Sequence, residues 1–515
     1  MLTVGFSFPA ADTRDWRRSV SWPIPVEALR RIGECAAGAA LDWSLGHADS
    51  DYGQLARGCV GVALNNFMAL TEAAWAAQSA ADAGHPVVDG PDDIEFIRTG
   101  DRSLLRSHPA MRALPNEPSG LSELLRCSAR TASWTRPSRL PKALVRPDAL
   151  ALSYNSLMMG ELRRTGRAVR LARSGHYVAS AWSHPAVSDD LTLTLLGDIE
   201  RLFDGVPTPL EPEYRARALV ALRGRMEPLV GKLRSTFAAL RATDVPTRVV
   251  SGTHGALATR IVCLEVQRRG GDVENYDHGG QIAQMPDLTG IIDLATTDRF
   301  VAPTPLWVDL IQETTRKIAR TRRLEVRGGA GDPIFRRACR DESAAPDPRR
   351  VIYVGHPYRG LRSPAIATVP DSIYWDFQSR LVETLLGFKI QLLCKPHPEG
   401  AFRGMANPLE KIAPVSRRPF EEHLDDADVF VFDAPTSTTF LETLCTRKIV
   451  VLIDRGHYPV KSFAADEVSK RCRIVPVRYD ERGRMQVDEA ALKDAVLRSR
   501  DGIDPSFFRR LAAGH

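Results

Sequence analysis

Three short apolar runs between Lys389 and Asp454, IQLLC, VFVF and IVVLI, constrain the fold of this chain more than any other feature. Each run has the length and the branched side chains of a strand that is buried on both faces. The stretch that follows Thr436, between the second and third runs, has the pattern of a helix. Buried strands that alternate with helices predict an α/β fold built on a parallel sheet.

Polar motifs follow the first two of these runs. KPHP follows IQLLC, and DAPTSTT follows VFVF. Because ligands bind beyond the carboxyl ends of parallel strands, both motifs are expected to border one crevice. The helix start within DAPTSTT would offer free backbone N–H groups and hydroxyls to a phosphate, and KPHP would add donors opposite. The residues predicted to bind this phosphate are Lys395, His397, Ser437, Thr438 and Thr439.

The alternative for both motifs is structural. Ser437 would then only cap its helix, and His397 would only lie in a loop between two prolines. Either motif alone would be a weak signal, and their joint occurrence after two strands favours a binding site.

At these residues the chain resembles bacterial sugar-nucleotide glycosyltransferases of the GT-B type, over roughly residues 245–500. It is most similar to the capsule and lipopolysaccharide transferases, with Kdo transferases, bacterial sialyltransferases and CDP-glycerol glycerophosphotransferases as relatives. The resemblance implies two Rossmann-like domains that face each other across a cleft. It also implies that His397, Ser437 and Thr438 hold the nucleotide phosphate, and that Glu442, one turn into the helix, binds the ribose.

A second unit, TRVVSGTHGALATRIVCLEVQRRGGDVENYDHGG, has the strand–helix–strand pattern of a βαβ motif. Its strand ends place His254 and His278 beside glycines. A histidine with a pKa near neutrality could take the proton from an acceptor hydroxyl, and Asp277 could orient or replace it. We favour His278 over His254, because DHGG resembles the acceptor-side His-Gly motif of polymer-synthesising transferases. A tight turn without chemistry is the alternative. The neighbouring glycines assigned to the cleft are Gly279 and Gly280.

A third strand end lies in VIYVGHPYRG, where the chain is expected to begin its second α/β domain. The first strand end of such a domain borders the cleft in the resembled architecture. His356 and Arg359 are therefore secondary candidates for contacts with the donor.

A chain of 515 residues is too long for one ordinary domain. We predict a mainly helical region over 1–145, an acceptor-side Rossmann-like domain over 146–325 and a nucleotide-binding Rossmann-like domain over 326–515. The cation-rich stretch 130–147 is interpreted as a linker, a polyanion-binding edge or, preferably, a solvated loop. The terminal stretch DPSFFRRLAAGH is expected to pack back onto the first α/β domain.

Charge and cysteine content exclude several classes of function. A formal charge of +6 is slight for this length and does not argue for nucleic acid. The eight cysteines are scattered without C-x-x-C spacing, which is typical of reduced core thiols in a cytoplasmic protein. No secretory signal and no run of about 18 apolar residues is found, so any contact with the inner membrane is expected to be peripheral, on its cytoplasmic face. The sequence offers no convincing D-x-D metal site, and no metal or cofactor is predicted beyond the donor substrate.

The function expected from this pattern is the transfer of a sugar from a nucleotide-activated donor, CMP-linked among the options, to a glycan or lipid-linked glycan in bacterial surface polysaccharide synthesis. Three alternatives stay open. They are phosphotransfer from a CDP-alditol, as in teichoic-acid synthesis; epimerisation of a sugar nucleotide; and a non-catalytic role in a polysaccharide assembly complex.

Overall fold

The computed structural model describes residues 3–5, 20–47, 50–83, 87–88, 92–102, 121–279, 286–340, 350–358, 369–398, 406–457, 462–498 and 503–515. Two predicted cleft residues, Gly280 and Arg359, lie outside this part of the chain.

The amino-terminal part is mainly helical, as the Ala-rich sequence predicts. A short parallel sheet of three strands (β1 Thr3–Gly5, β2 Val20–Ser21, β3 Val87–Val88) accompanies three helices (α1 Val26–Leu45, α2 Asp51–Asp82, α3 Asp92–Thr99). The long helix α2 begins at Ser50, whose side chain accepts a hydrogen bond from the Gly53 N–H at 3.0 Å. The alanines that α1 and α2 bury have small side chains, so the two helices can pack closely together.

The stretch 130–147 is helical, and its interpretation as a solvated loop is therefore wrong. It ends one helix, forms a 3₁₀ turn and makes a second helix (α4 Leu121–Trp134, turn Pro137–Arg139, α5 Leu140–Val145). The cause is a buried aromatic anchor: Trp134 is fully buried and donates through Nε1 to the Val169 carbonyl at 3.0 Å. Basic side chains of this stretch lie on the exposed side of a packed element.

The first α/β unit contains a six-stranded sheet in which every pairing is parallel. In space the strands run β5-β4-β6-β7-β8-β9. The strand bounds are β4 Ala149–Ala151, β5 Val169–Leu171, β6 Arg248–Ser251, β7 Asp272–Tyr276, β8 Arg299–Ala302 and β9 Glu325–Gly328. Since β9 pairs with β8, this sheet continues to Gly328, three residues beyond the predicted end of the domain at 325.

Helices flank this sheet and link it to the amino-terminal part. The longest, Pro212–Leu240, packs against α2. The helix bounds are α6 Ser156–Thr165, α7 Ser174–Ser183, α8 Asp190–Asp204, α9 Pro212–Leu240, α10 Leu257–Arg268, α11 Pro286–Thr289, a π-helical turn Gly290–Leu294, α12 Pro305–Leu310, α13 Gln312–Ala319 and α14 Pro333–Ala338.

The second α/β unit contains the three apolar runs that opened the sequence analysis, and all three are strands. The spatial order is β11-β10-β12-β13-β14-β15, parallel except for the last pair. All four residues of β12 are buried, as a strand covered on both faces requires. The strand bounds are β10 Arg350–Val354, β11 Gln391–Lys395, β12 Val429–Phe432, β13 Ile449–Asp454, β14 Arg473–Tyr479 and β15 Met485–Val487.

The helices of the second unit include the one predicted after VFVF. It spans Thr438–Leu444. The helix and turn bounds are α15 Asp371–Gly387, 3₁₀ turns Pro408–Lys411 and Phe420–Glu422, α16 Thr438–Leu444, α17 Ser462–Arg471, α18 Glu489–Leu497, α19 Ser506–Phe508 and a π-helical turn Arg509–Ala513. Two parallel-rich sheets with flanking helices are consistent with two Rossmann-like domains. None of the described helices is both long and apolar enough to cross a membrane.

The carboxyl-terminal segment packs back onto the first α/β unit, as predicted. The Thr304 hydroxyl donates to the Leu511 carbonyl at 2.6 Å, and the Asp332 N–H donates to the Ala512 carbonyl at 2.9 Å. The same segment also contacts the second unit, where Arg509 Nε donates to the Cys445 carbonyl at 2.8 Å. The terminal segment therefore joins the two α/β units.

Replacing Gly331 by Ala is expected to weaken this junction. Gly331 has a φ of +100°, and a Cβ there would lie 2.0 Å from the Ala513 carbonyl oxygen. Backbone strain and overpacking together should cost about 3 kcal/mol, measured as a lower midpoint of urea unfolding. Gly270→Ala is the matched control. Gly270 also has a positive φ, +72°, but no atom lies within 4 Å of an added Cβ. Only the backbone strain, about 1 kcal/mol, is therefore expected. Equal losses in the two variants would contradict the contact with the terminal segment.

Candidate functional site

The carboxylate of Asp433 lies at the carboxyl end of β12, where the strand order of the second sheet reverses. It is 1% exposed. It accepts hydrogen bonds from the Tyr353 hydroxyl at 2.5 Å, the Tyr374 hydroxyl at 2.7 Å and the His356 backbone N–H at 2.9 Å. Because β10 and β12 are neighbours and the chain leaves them in opposite directions along the sheet, a crevice opens here between their following loops.

A second layer of hydrogen bonds fixes the two tyrosines. Gln378 Nε2 donates to the Tyr353 hydroxyl at 2.8 Å and to the Tyr374 hydroxyl at 2.6 Å, and its Oε1 accepts from the Tyr358 hydroxyl at 2.6 Å. Burial, followed by the charge of Asp433, raises the pKa of both Tyr353 and Tyr374 well above the usual value. Both tyrosines therefore stay protonated and act as hydrogen-bond donors.

Four basic side chains gather around this crevice: His356, His397, Arg455 and His457. Arg455 is 5% exposed, donates through Nε to the Asp433 carbonyl at 2.6 Å, and stacks 4.8 Å from the Tyr374 ring centroid. Burial, then Arg455 and His397, holds the pKa of His356 well below its usual value. Burial, then Arg455 and His356, does the same for the pKa of His457. A bound anion would favour the protonated form of each histidine and so oppose the effect of burial.

Lys395 is the last residue of β11, the strand on the other side of β10, and His397 follows it. Lys395 is 6% exposed, and burial lowers its pKa. A small pocket between the β10 and β11 loops is lined by His356, Tyr358, Gln378 and His397. The structure therefore brings His397 and His356 together at one edge, although the sequence analysis assigned them to separate motifs.

Ser437 caps α16, as the sequence predicts. Its hydroxyl accepts from the Phe440 N–H at 3.1 Å and lies 2.9 Å from the Thr439 hydroxyl. Thr436 to Thr439 are all half-buried, so their polar atoms border the crevice. Since α16 has only seven residues, its dipole contributes little, and the hydroxyls and side-chain cations carry most of the attraction for an anion.

Glu442 lies one turn into α16 and is fully buried. Neither carboxyl oxygen has a hydrogen-bond partner among the described residues. Burial, then the charge of Glu421, raises the pKa of Glu442 to about 8, so the group is protonated near neutral pH. A buried carboxyl without a partner costs free energy, and the hydroxyls of a ribose would supply the missing donors and acceptor.

Asp277 and His278 follow β7 in the first sheet and differ sharply in exposure. Asp277 is 1% exposed; one oxygen accepts from the Gly279 N–H at 2.7 Å and the other from Trp307 Nε1 at 3.0 Å. Burial raises the pKa of Asp277 to about 7. His278 is exposed. Asp277 therefore shapes the turn, and His278 is the side chain that the turn presents to solvent.

Two buried carboxyl groups lie near His278. They are Asp293, in the π-helical turn, and Asp332, which caps α14. Burial raises the pKa of each, while the charge of His278 acts in the opposite direction on both. The imidazole of His278 therefore lies within the electrostatic range of two buried carboxyl groups.

The loop after β7 meets the start of α16 from the second unit. A Cβ built on Gly279 would lie 3.3 Å from both the Cγ2 and the Oγ1 atoms of Thr438. In the first unit, Asn155 joins the ends of three strands. It follows β4, and its Nδ2 donates to the carbonyls of Gly252, after β6, and Asp277, after β7, each at 2.7 Å. The predicted acceptor-side and donor-side motifs are thus in direct proximity.

His254 does not reach this crevice, and its assignment to the cleft is corrected. It is fully buried. Its Nδ1 lies 2.8 Å from the Thr296 hydroxyl and its Nε2 lies 3.5 Å from the Cys263 thiol. Burial, followed by Arg260, lowers the pKa of His254 to about 3, so the ring stays neutral in the core.

Sequence reasoning missed Arg455, His457 and the contribution of the amino-terminal part. Arg455 and His457 follow β13, so the strand-end rule applied to IVVLI would have found them. The approach of Trp22 had no sequence signal. The backbone N–H of Trp22 donates to the Arg482 carbonyl at 2.8 Å. A cavity between Trp22 and Arg455 is also lined by Tyr479.

A separate polar network lies in the segment between β11 and β12. The Ser416 hydroxyl is 2.8 Å from His423 Nε2, and His423 Nδ1 is 2.8 Å from Asp426 Oδ2. Arg418 also contacts Asp426 and lies 3.1 Å from His423 Nδ1. We assign this network to fastening the loop before β12. No group of three or more His, Cys, Asp or Glu side chains in the described part of the chain is placed to hold a metal ion.

Comparison of the chain with protein-family models, with curated proteins and with solved structures gives no match. The functional argument therefore depends on the geometry of the site.

Glu442→Gln is expected to change how stability depends on pH. The pKa of the carboxyl is about 8 in the folded protein and 4.5 ordinarily. The loss in the free energy of unfolding that results is therefore absent below pH 4.5 and grows as the pH rises to about 8. The variant should be more stable than the parent above pH 8 by a few kcal/mol, on the order expected for this shift, and nearly equal near pH 5. Urea unfolding at both pH values measures the difference. Glu422→Gln, at an exposed glutamate nearby, should have the same free energy of unfolding as the parent at both pH values.

Proposed function

We propose that the protein is a glycosyltransferase that moves a sugar from a nucleotide-activated donor to a glycan or lipid-linked glycan. The observation that carries this proposal is the crevice at the carboxyl edge of the second sheet. Four basic side chains surround it, and the buried carboxyl of Glu442 lies in the adjoining helix. A nucleoside diphosphate or monophosphate is the ligand class with both an anionic part and a ribose that could satisfy these groups.

In this proposal the second α/β unit binds the donor. Lys395, His397 and Arg455 neutralise the phosphates, and the hydroxyls of Ser437 and Thr438 donate hydrogen bonds to them. Stabilising the departing nucleotide lowers the barrier to breaking the glycosidic bond, because negative charge develops on the phosphate oxygen as that bond lengthens. Glu442, protonated near neutral pH, both donates to and accepts from the ribose hydroxyls.

The first α/β unit binds the acceptor and supplies the base. His278 takes the proton of the attacking hydroxyl, and Asp277 holds the turn that presents the imidazole. The 3.3 Å approach between a Cβ on Gly279 and Thr438 supports this arrangement, because it brings the proposed base close to the proposed phosphate site. The GT-B architecture is part of this proposal, and the two parallel-rich sheets with flanking helices are consistent with it.

Nucleotides are expected to stabilise the protein. In a thermal-shift screen with CMP, CDP, UDP, GDP and ADP, the preferred nucleotide at a hundred times its Kd should add about 2.7 kcal/mol and raise the melting temperature by about 2 °C or more. The shift should disappear in the His397→Ala, Ser437→Ala double variant. His184→Ala, at an exposed histidine of the first unit, is the control and should keep the full shift.

If no nucleotide shifts the melting temperature, the transferase proposal fails and a non-catalytic role is favoured. If CDP or CMP binds and the elongated product contains phosphorus, the reaction is phosphotransfer from a CDP-alditol. Conversion of the donor without any acceptor would indicate an epimerase.

His278→Gln is expected to separate chemistry from binding. Loss of the general base should lower kcat by about 10²–10⁴-fold, while the nucleotide-induced thermal shift is unchanged. Release of nucleotide from the donor in the presence of acceptor measures kcat. His176→Ala, at an exposed histidine on α7, should keep the parental rate. A His278 variant with parental kcat would rule out this residue as the base.

A further inference from the structure

A basic pocket lies at the carboxyl edge of the first sheet, apart from the crevice described above. Arginines 126, 130 and 173 line it together with Ser133 and Tyr154. Tyr154 follows β4 and Arg173 follows β5, the strand at the edge of the sheet. The pocket is therefore in the position where α/β sheets bind ligands.

Helix α4 supplies one wall of the pocket and is held firmly against β5. The Thr131 hydroxyl accepts from the Leu171 N–H at 3.0 Å, and Trp134 donates to the Val169 carbonyl at 3.0 Å. Arg126 and Arg130 are four residues apart and so share one face of the helix. Because their helix is anchored, the backbone positions of the two arginines are fixed relative to β5.

Tyr154 forms the aromatic floor of the pocket. The Arg130 guanidinium lies 4.6 Å from the Tyr154 ring centroid. The centroids of the Trp134 and Tyr154 rings lie 5.8 Å apart. Arg130 is exposed and forms no ion pair with the carboxylates of the described residues. A stacked arginine keeps its hydrogen-bond donors free to point along the ring edge towards a planar anion.

The pocket shares an edge of the sheet with the proposed base. Asn155, next to Tyr154, donates to the carbonyl of Asp277 at 2.7 Å, and His278 follows directly. Strand β4 is separated from β7 by β6 alone, so two strand spacings place the pocket roughly 10 Å from the β7 loop. An acceptor that reacts beside His278 can extend along this edge into the pocket.

We propose that this pocket binds an anionic group, a phosphate or a carboxylate, carried by the glycan acceptor. The inference rests on the proposed transferase function, since it assigns the acceptor of that reaction to an acidic class. Arginine forks bind both anions in a bidentate manner, and the partly exposed face of Tyr154 can pack against the adjoining sugar ring.

An anionic membrane is the competing occupant, because Leu125, next to Arg126, is 62% exposed. The geometry favours the acceptor. The arginines surround a concave site with an aromatic floor, whereas a membrane-binding face presents its cations outward around exposed apolar side chains.

The test is binding of defined probes to the full-length protein by isothermal titration calorimetry. The probes are an oligogalacturonate, a phosphorylated maltooligosaccharide and a neutral maltooligosaccharide of the same length. At least one acidic probe should bind, and the neutral one should bind at least about tenfold more weakly. Arg126→Ala with Arg130→Ala should weaken acidic binding by about tenfold or more, while the nucleotide-induced thermal shift stays unchanged.

The matched control is Arg139→Ala with Arg146→Ala, which removes the same charge from exposed sites outside the pocket. It should keep binding within about twofold of the parent. Equal weakening in both variants would show a general charge effect and overturn the proposal. So would failure of both acidic probes to bind.

A vesicle assay separates the membrane alternative. Phosphatidylglycerol vesicles that bind in an Arg126- and Arg130-dependent manner, without binding of either acidic glycan, would assign the pocket to the membrane and overturn the proposal. Nucleotide binding is scored in the same protein, so the two proposals fail separately. If a nucleotide raises the melting temperature but neither acidic glycan binds, this inference alone is refuted. If an acidic glycan binds but no nucleotide raises the melting temperature, the proposed donor site alone is refuted.

Discussion

The buried carboxylate of Asp433 is the group on which the geometry of the second α/β unit depends. A charge removed from water must be met by donors, and Tyr353, Tyr374 and the His356 N–H supply them. These bonds fix the loops after β10 and β12 relative to each other, and Arg455 adds the loop after β13 through the Asp433 carbonyl. Asp433 therefore positions His356, Arg455 and His457, which lie on the loops after β10 and β13.

The relation between the two α/β units depends on a second constraint, the terminal segment. It hydrogen-bonds to the first unit through Thr304 and Asp332, and to the second through Cys445. Helix α14, whose first turn Asp332 caps, packs against both the terminal segment and α16. The segment therefore helps to set the distance between His278 and the start of α16.

The sequence predicted the strands of the second sheet well, because strands covered on both faces require continuous apolar runs such as VFVF. The strand-end rule then placed His397, Ser437 and His278 at the correct edges. The rule failed for His254, because the π-helical turn and Thr296 cover that ring. A strand-end motif carries no information about which distant segments of the chain cover its side chains. Similarly, residues 130–147 were predicted as a loop because their charges suggested solvent, whereas the single buried ring of Trp134 determines the packing.

The most direct test of the donor site is calorimetric titration of a nucleoside diphosphate in two buffers of different ionisation enthalpy at pH 7. Burial and neighbouring cations hold the pKa values of His356 and His457 low, and a bound phosphate should raise them. The account predicts binding with net uptake of protons, seen as an enthalpy that depends on the buffer, and a smaller uptake in His356→Gln. Absence of binding would contradict the assignment of this crevice to the nucleotide phosphates.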